Sequence, residues 1–242
     1  MASTEWLSKA WKFGYTSGNV TSRIPGIARL IDEFKCGGSY KKVFQECVLP
    51  YIDDDSKILE LGPGRGSWTK AMVKHVPNGE IHVVDYLDVS KWMKSIMSKR
   101  VFCHMVSDNG PYDFLEDQYF DFCWSFGVLC HNDSFQIEEV LSNTIKKLKP
   151  GGTAVHQYGN WDKLNAFGWF KGGIPKILQA FPDDMMWWPK NDIETMKSLA
   201  ENTGWEIVCA DKDLLRRDSI IVLKKPVKKP ADTYPLSSVL ED

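Results

Sequence analysis

The chain has 242 residues, of which 43% are hydrophobic, and its formal net charge is −2. This length fits one large α/β domain or one domain with small additions. The near-neutral charge gives no general attraction to nucleic acid. No stretch approaches the roughly 20 apolar residues of a membrane span. The six cysteines include no C-x-x-C pair that would indicate a zinc or iron–sulfur site.

Residues 1–50 are predicted to form a helical lid ahead of the main domain. Apolar residues recur with helical spacing in two stretches, 6–13 and 43–48. The N-terminal stretch alternates charged and apolar residues and lacks the continuous apolar core of a signal peptide. We therefore expect a cytoplasmic protein.

A glycine-rich turn follows the first predicted strand. Residues 57–61 form an apolar run that is typical of a parallel strand covered on both faces. Gly62, Gly64 and Gly66 come next, and glycine both permits unusual backbone torsions and lets a ligand lie against the backbone. A helix is predicted over 68–75, and its first N–H groups would face the same ligand. The pattern indicates a pocket of the nucleotide-binding type.

The spacing of the glycines argues against a dinucleotide. The dinucleotide fingerprint needs its third glycine three residues after the second, but Ser67 holds that position here. Glu60, just before the turn, would repel a diphosphate and suits a ligand that carries an ammonium group. A nicotinamide-dependent reductase is therefore disfavoured but stays an alternative, as does a glycine turn with a purely structural role.

Strands and helices alternate along the following sequence. Such alternation with short connections implies an α/β fold with a parallel sheet covered on both faces. The further predicted strands are 80–85, 102–106, 120–125, 153–157, 206–211 and 219–223, and the further predicted helices are 90–98, 135–148 and 192–203.

An aspartate ends the second predicted strand. Asp85 lies 19 residues after Gly66, close to the ~20 expected between the glycine turn and a carboxylate that binds ribose. Tyr86 or Leu87, both candidate cofactor-binding residues, would then lie against the adenine. A solvated aspartate at a strand end is the alternative.

Five segments of the sequence carry motif-like patterns, in this order: 57–69, 80–85, 106–109, 119–127 and 148–152. Together they resemble the motifs of class I S-adenosylmethionine-dependent methyltransferases of the small-molecule type, over roughly residues 57–158. The resemblance implies a Rossmann-like seven-stranded mixed sheet, mostly parallel with an antiparallel last strand. It also implies S-adenosyl-L-methionine as the cofactor.

The resemblance extends the predicted donor site beyond the glycine turn. It implies that Asp108 contacts the adenine amino group and that Ser107 beside it also binds the cofactor. It also implies that Ser125 and Phe126 face the donor, and that Trp68 contributes from the start of the helix. A plain Asp-Asn-Gly turn is a strong alternative for Asp108, because these residues favour tight turns in any context.

Candidate catalytic residues follow the fourth and fifth strands. In an open α/β sheet the pocket lies outside the carboxyl ends of the strands. His131 is the candidate general base, since imidazole is partly neutral near physiological pH. Tyr158 and Asp162 are candidates for orienting an acceptor, and Asp162 also for helping its deprotonation. The alternative for His131 is that it only precedes a helix capped by Asp133.

The expected reaction is methyl transfer to a small molecule. No Asn-Pro-Pro-Tyr-like segment follows the fourth strand, which speaks against methylation of adenine or glutamine nitrogen. No cluster of carboxylates indicates a metal. A hydroxyl of a sugar or natural product is the favoured acceptor. A small-molecule N-methyltransferase and a donor-binding subunit without catalytic activity stay alternatives.

Two further segments complete the predicted organisation. The methyltransferase domain is predicted over 51–226, with an aromatic insertion at 160–190 and a flexible tail at 227–242. Dense aromatic residues outside a sheet suggest a cap over the acceptor, a homodimer interface or a satellite hydrophobic cluster.

Overall fold

The structure, a computed structural model, describes residues 18–94, 96, 100–106 and 112–227. Residues 1–17 of the predicted lid and the tail from residue 228 lie outside the described residues. The strands are β1 (Lys57–Leu61), β2 (Glu80–Asp85), β3 (Val101–Met105), β4 (Phe120–Ser125), β5 (Leu148–Gly159), β6 (Glu206–Cys209) and β7 (Asp218–Lys224).

All seven strands form one sheet in the order β3-β2-β1-β4-β5-β7-β6. Strands β1 to β5 run parallel, while β7 is antiparallel to both β5 and β6. The predicted seven-stranded, mostly parallel sheet is therefore confirmed. The strand order reverses between β1 and β4, and open α/β sheets bind ligands outside the carboxyl ends of the strands at such a point.

Helices lie on both faces of the sheet. They are α1 (Ile27–Cys36), α2 (Tyr40–Cys47), α3 (Thr69–Met72), α4 (Ser90–Met93), α5 (Ser134–Lys147), α6 (Trp161–Phe167) and α7 (Ile193–Asn202). Short 3₁₀ turns occupy Leu49–Tyr51, Leu129–His131, Lys176–Ala180 and Asp183–Met185. No helix in these described parts of the chain has the length and apolar character needed to cross a membrane.

Successive side chains of each inner strand point to opposite faces of the sheet and pack in different hydrophobic cores. On one face, Ile58 belongs to a cluster with side chains of α2 and α3, while Leu59 on the other face packs with side chains of α5 and α7. Both residues are fully buried. This double burial explains why β1 is a continuous apolar run instead of an alternating one.

The predicted strand boundaries match the structure best where the apolar run has clear ends. Strands β1, β2 and β4 have the predicted bounds, and β3 differs by one residue at each end. Strand β5 begins at Leu148 instead of residue 153, because Leu148 already pairs with Phe120 of β4, ahead of Gly151 and Gly152. Helix α3 covers only Thr69–Met72, shorter than the predicted 68–75.

A tight turn joins α1 to α2 and fixes both against the sheet. Gly37 has φ 69°, and an added Cβ there would lie 2.6 Å from Cβ of Arg216. The backbone N–H of Arg216 donates to the carbonyl of Cys36. The end of α1 is therefore packed directly against the segment that leads into β7, at the carboxyl edge of the parallel strands.

Candidate active site

The glycine turn after β1 has the geometry that its sequence predicted. Gly62, Gly64 and Gly66 have φ values of 60°, 59° and 75°, a region that other residues enter only at a cost. A Cβ on Gly62 would overlap Cγ2 of Val128, and one on Gly66 would lie 2.6 Å from Sδ of Met93. The turn is a bare-backbone cradle with no space for a side chain at Gly62 or Gly66.

Glu60 lies beneath this cradle. Its side chain is 1% exposed, and its Oε2 accepts a hydrogen bond of 2.5 Å from Oγ1 of Thr69. Burial raises the pKa of Glu60 to about 8, with the negative charge of Asp85 adding to the rise and the Thr69 hydroxyl opposing it. A buried carboxyl of this kind takes up its charge readily only when a cation lies beside it.

Asp85 lies at the end of the neighbouring strand. It is buried, and its Oδ1 accepts from the backbone N–H of Leu87 at 3.1 Å. Burial raises the pKa of Asp85 to about 6, although backbone N–H groups, including that of Gly64, oppose the rise. Leu87 is half-buried and Tyr86 is exposed. Asp85 thus reaches the glycine turn, whereas Ser107 and Asp108 lie outside the described residues.

An aromatic cluster lies beside the cradle on the β4 side. The ring of Trp68 lies 4.8 Å from those of both Trp124 and Phe126, and the ring of Tyr40 lies 5.0 Å from Phe126. Trp68 is 6% exposed and belongs to the core. It therefore supports the wall of the site, and its predicted contact with the donor stays a prediction.

Ser125 and Phe126 point to opposite sides of the sheet. Oγ of Ser125 lies 2.8 Å from Nδ1 of His156 in the interior, and both side chains are fully buried. Phe126 is half-buried and faces the aromatic cluster. Of this predicted pair, only Phe126 has its side chain on the face that carries Glu60 and Asp85.

His131 lies at the carboxyl edge, in the 3₁₀ turn after β4. Its Nδ1 lies 2.7 Å from the carbonyl oxygen of Trp187, and its ring meets the ring of Trp188 edge-on at 5.3 Å. Burial lowers the pKa of His131, while the Trp187 carbonyl opposes that change. The aromatic insertion thus covers the residue predicted as general base.

The other two predicted catalytic residues do not lie with His131. Tyr158 is fully buried in the core on the opposite face of the sheet, and its hydroxyl donates to the carbonyl of Ala210 at 3.1 Å. This position gives Tyr158 a packing role in the core, and its predicted role in orienting an acceptor stays a prediction. Asp162 is exposed in the first turn of α6, and its role stays a prediction.

A comparison with protein families identifies the chain. A family model described as a methyltransferase domain matches residues 38–210, well over half of the chain. The chain belongs to this methyltransferase family. No curated protein matches it.

Solved structures share the fold of this methyltransferase at low sequence identity. The PH0226 protein from Pyrococcus horikoshii OT3 superposes with a TM-score of 0.64 at 14% identity, covering 90% of this chain and 98% of that one. A SAM-dependent methyltransferase from Aquifex aeolicus gives 0.58 at 13% identity, covering 80% and 93%. The CurJ carbon methyltransferase gives 0.52 at 19% identity, covering 83% and 55%.

The cofactor of the methyltransferase is S-adenosylmethionine, and the described residues fit it. At Gly62 and Gly66 only a bare backbone fits, since a Cβ would run into Val128 and Met93, and a glycine backbone lets a ligand approach closely. The buried carboxyl of Glu60 suits an ammonium group, and that of Asp85 suits a pair of ribose hydroxyls.

A buried ion pair at the same edge escaped sequence reasoning. Arg217 donates to both carboxylate oxygens of Asp218, at 2.8 and 2.7 Å, and also to the carbonyl of Gly172 at 3.0 Å. Its guanidinium lies 4.6 Å from the ring centre of Trp188. Because Arg217 also donates to Sγ of Cys36, it ties the insertion to β7 and α1. Its sequence context, Arg-Arg-Asp ahead of a strand, is that of an exposed loop and gave no signal of burial.

Proposed function

We propose that this methyltransferase transfers a methyl group from S-adenosylmethionine to a hydroxyl of a small-molecule acceptor, with His131 as the general base. The observation that carries the proposal is the 2.7 Å contact between Nδ1 of His131 and the carbonyl oxygen of Trp187. A carbonyl oxygen only accepts, so Nδ1 must carry the proton. In the neutral imidazole the basic lone pair then lies on Nε2.

The protonation state of His131 suits this role. Burial lowers its pKa, so the imidazole is neutral at pH 7 and able to take a proton. When bound, S-adenosylmethionine supplies a methyl carbon that bonds to the acceptor oxygen while its bond to sulfur breaks and the electron pair stays on sulfur. The hydroxyl proton passes to Nε2 of His131, which balances the charge formed at the oxygen.

The insertion contributes by enclosing the reacting groups. Trp187 and Trp188 both contact the imidazole ring, and Trp188 is 3% exposed. Such a wall would exclude water and hold the acceptor oxygen in line, and positioning of this kind supplies much of the rate in a direct displacement. Apolar and aromatic walls also favour a small organic acceptor.

Two further parts of the proposal concern assembly and location. Exposed apolar side chains on the insertion support a homodimer through this segment: Phe170, Ile177, Phe181 and Met185. A cytoplasmic location stays a prediction from the sequence.

Replacing His131 tests the role of the base. We expect His131→Gln to lower kcat by roughly 10²- to 10⁴-fold, because general-base catalysis contributes about that much. Donor affinity should be unchanged, and the rise of rate with pH that follows the titration of His131 should disappear. His75→Gln, at an exposed histidine, is the matched control and should keep full activity.

Three results would decide against parts of this proposal. Full activity of His131→Gln would remove His131 as the base. Methylation of amine acceptors alone would make the protein an N-methyltransferase. Tight donor binding without turnover of any acceptor in a broad panel would favour the subunit without catalytic activity.

A further inference from the structure

Two buried side chains at the carboxyl end of β5, Trp188 and Gln157, carry N–H groups that lack a good hydrogen-bond acceptor among the described residues. Trp188 and Gln157 are 3% and 1% exposed. Within residues 18–94, 100–106 and 112–227, neither Nε1 of Trp188 nor Nε2 of Gln157 has a hydrogen-bond partner. Leaving a buried donor unsatisfied is costly, and such groups in native proteins call for a specific explanation, of which a ligand is one.

The orientation of the Gln157 amide is fixed by its other end. Its Oε1 accepts a 2.7 Å hydrogen bond from the backbone N–H of Gly127, so the NH₂ group must point the other way. The thiol of Cys130 also faces this amide, but a thiol is only a weak acceptor. The amide therefore keeps donor capacity at the edge of the sheet.

Gly159 brings the second donor to the same place. Side chains two residues apart on a strand point to the same face, so position 159 lies beside Gln157. A Cβ on Gly159 would lie 3.1 Å from Nε1 of Trp188 and 3.6 Å from Cβ of Cys130. The absence of a side chain at 159 is what lets the indole N–H approach the strand next to the amide.

The two donors adjoin the proposed base. The Trp188 ring contacts the His131 ring at 5.3 Å between centroids. In neutral His131 the lone pair lies on Nε2, since Nδ1 faces the Trp187 carbonyl. The imidazole and the two N–H donors are thus grouped among aromatic rings. A complementary molecule presents a hydroxyl proton to the imidazole and a second oxygen to the N–H groups.

The charges at this edge do not demand a charged ligand. Asp218 and Arg217 neutralise one another in a bidentate pair, and the guanidinium also lies over the Trp188 ring. A cation against one face of the indole favours an electron-rich oxygen at its N–H without creating an anion site of its own. Either a neutral carbonyl or a carboxylate oxygen fits.

We propose that the acceptor carries a carbonyl or carboxylate oxygen adjacent to the hydroxyl that is methylated, and that Trp188 and Gln157 bind this second oxygen. The inference rests on the proposed function, because it takes His131 as the group that faces the hydroxyl. It adds a substrate class: planar hydroxy-carbonyl compounds. Since both donors are buried, the segment around residues 187–188 must lift to admit the acceptor and close again over it.

A pair of probes with matched shape tests the proposal. Binding of 2-hydroxyacetophenone and of 2-ethylphenol is measured by calorimetry on the full chain with S-adenosylhomocysteine bound. The two probes differ mainly in the carbonyl oxygen, and salicylate serves as the anionic third probe. We expect 2-hydroxyacetophenone to bind about tenfold more tightly than 2-ethylphenol, a typical effect of satisfying a buried donor. Methyl transfer to each probe is measured in parallel.

Variants separate the indole N–H from the indole ring. Trp188→Phe keeps an aromatic wall but removes the donor, and it should reduce the preference between the two probes to about twofold or less. Trp161→Phe is the matched control, since Trp161 also has a buried Nε1 without a partner among the described residues but lies against Trp169. It should keep the full preference. Donor affinity and thermal stability establish that each variant is folded.

The outcomes distinguish this inference from the proposed function. Equal affinity for the two neutral probes, binding of neither, or an unchanged preference in Trp188→Phe would overturn the inference and would mean that buried water alone satisfies the donors. A Trp188-dependent preference without methyl transfer would support the binding site while contradicting the proposed reaction. Tighter binding of salicylate than of 2-hydroxyacetophenone would identify the carboxylate as the preferred oxygen.

Discussion

The buried carboxyl of Glu60 makes the stability of the protein without its donor depend on pH. Its pKa is raised from 4.5 to about 8, so the folded protein holds this proton more tightly than the unfolded chain does. The stabilisation is fully present below pH 4.5 and is lost as the pH rises through 8. At about 1.4 kcal/mol per pH unit, the full difference is about 5 kcal/mol.

The Glu60→Gln variant removes this titration while keeping an oxygen that can accept from Thr69. We expect the two proteins to have similar free energies of unfolding at pH 5. At pH 9 the variant should be the more stable by up to about 5 kcal/mol. Urea denaturation at pH 5, 7 and 9 measures the difference. Glu138→Gln, at an exposed glutamate on α5, is the control and should show no such divergence.

Binding of the donor should release the proton that the Glu60 carboxyl holds in the protein without its donor. An ammonium group beside Glu60 favours the carboxylate, so binding of S-adenosylhomocysteine at pH 7 should release close to one proton. Its affinity should rise by up to tenfold per pH unit below pH 8. Calorimetry in buffers of different ionisation enthalpy measures the release, and Glu60→Gln should abolish it. Parallel stability profiles for both proteins, or binding without proton release, would refute the role given to Glu60.

Two more substitutions test the cradle and the ion pair. Gly62→Ala forces a Cβ into Val128 at a positive φ and should weaken donor binding at least tenfold. Gly204→Ala, with φ 85° but only an ordinary contact of 3.9 Å to Cδ1 of Ile145, should cost only about 1–2 kcal/mol of stability and leave calorimetric affinity intact. Arg217→Met leaves the buried Asp218 without its cation and should lower the free energy of unfolding by about 3–5 kcal/mol in urea; a loss below 1 kcal/mol would show that the pair is not buried in solution.

The donor half of the site could be predicted from sequence because local chemistry determines it. The apolar run of β1, the three glycines and Asp85 each follow from backbone torsion or strand position, and the structure brings them together. The short α3 could not be predicted: Ser67 and Thr69 are plausible cap residues in the sequence, but no side chain caps the start of the helix, and the Thr69 hydroxyl donates to Glu60 instead.

The acceptor half depends on contacts between distant parts of the chain. The direction of the Tyr158 side chain could not be predicted, because a strand buried on both sides gives no alternation from which to read direction. Arg217 donates to Sγ of Cys36 across 181 residues. Trp188 reaches His131 only because the whole insertion folds back over β4 and β5. Contacts between residues so far apart in the chain leave no periodic signal in the sequence.

A crystal structure with S-adenosylhomocysteine tests the central claim most directly. The account predicts that the ribose hydroxyls bind the Asp85 carboxylate, that the amino group lies within reach of Glu60, and that the backbone of the glycine turn contacts the ligand. A ligand bound elsewhere, with Glu60 still bonded only to Thr69 and Asp85 directed away from the ribose, would contradict it.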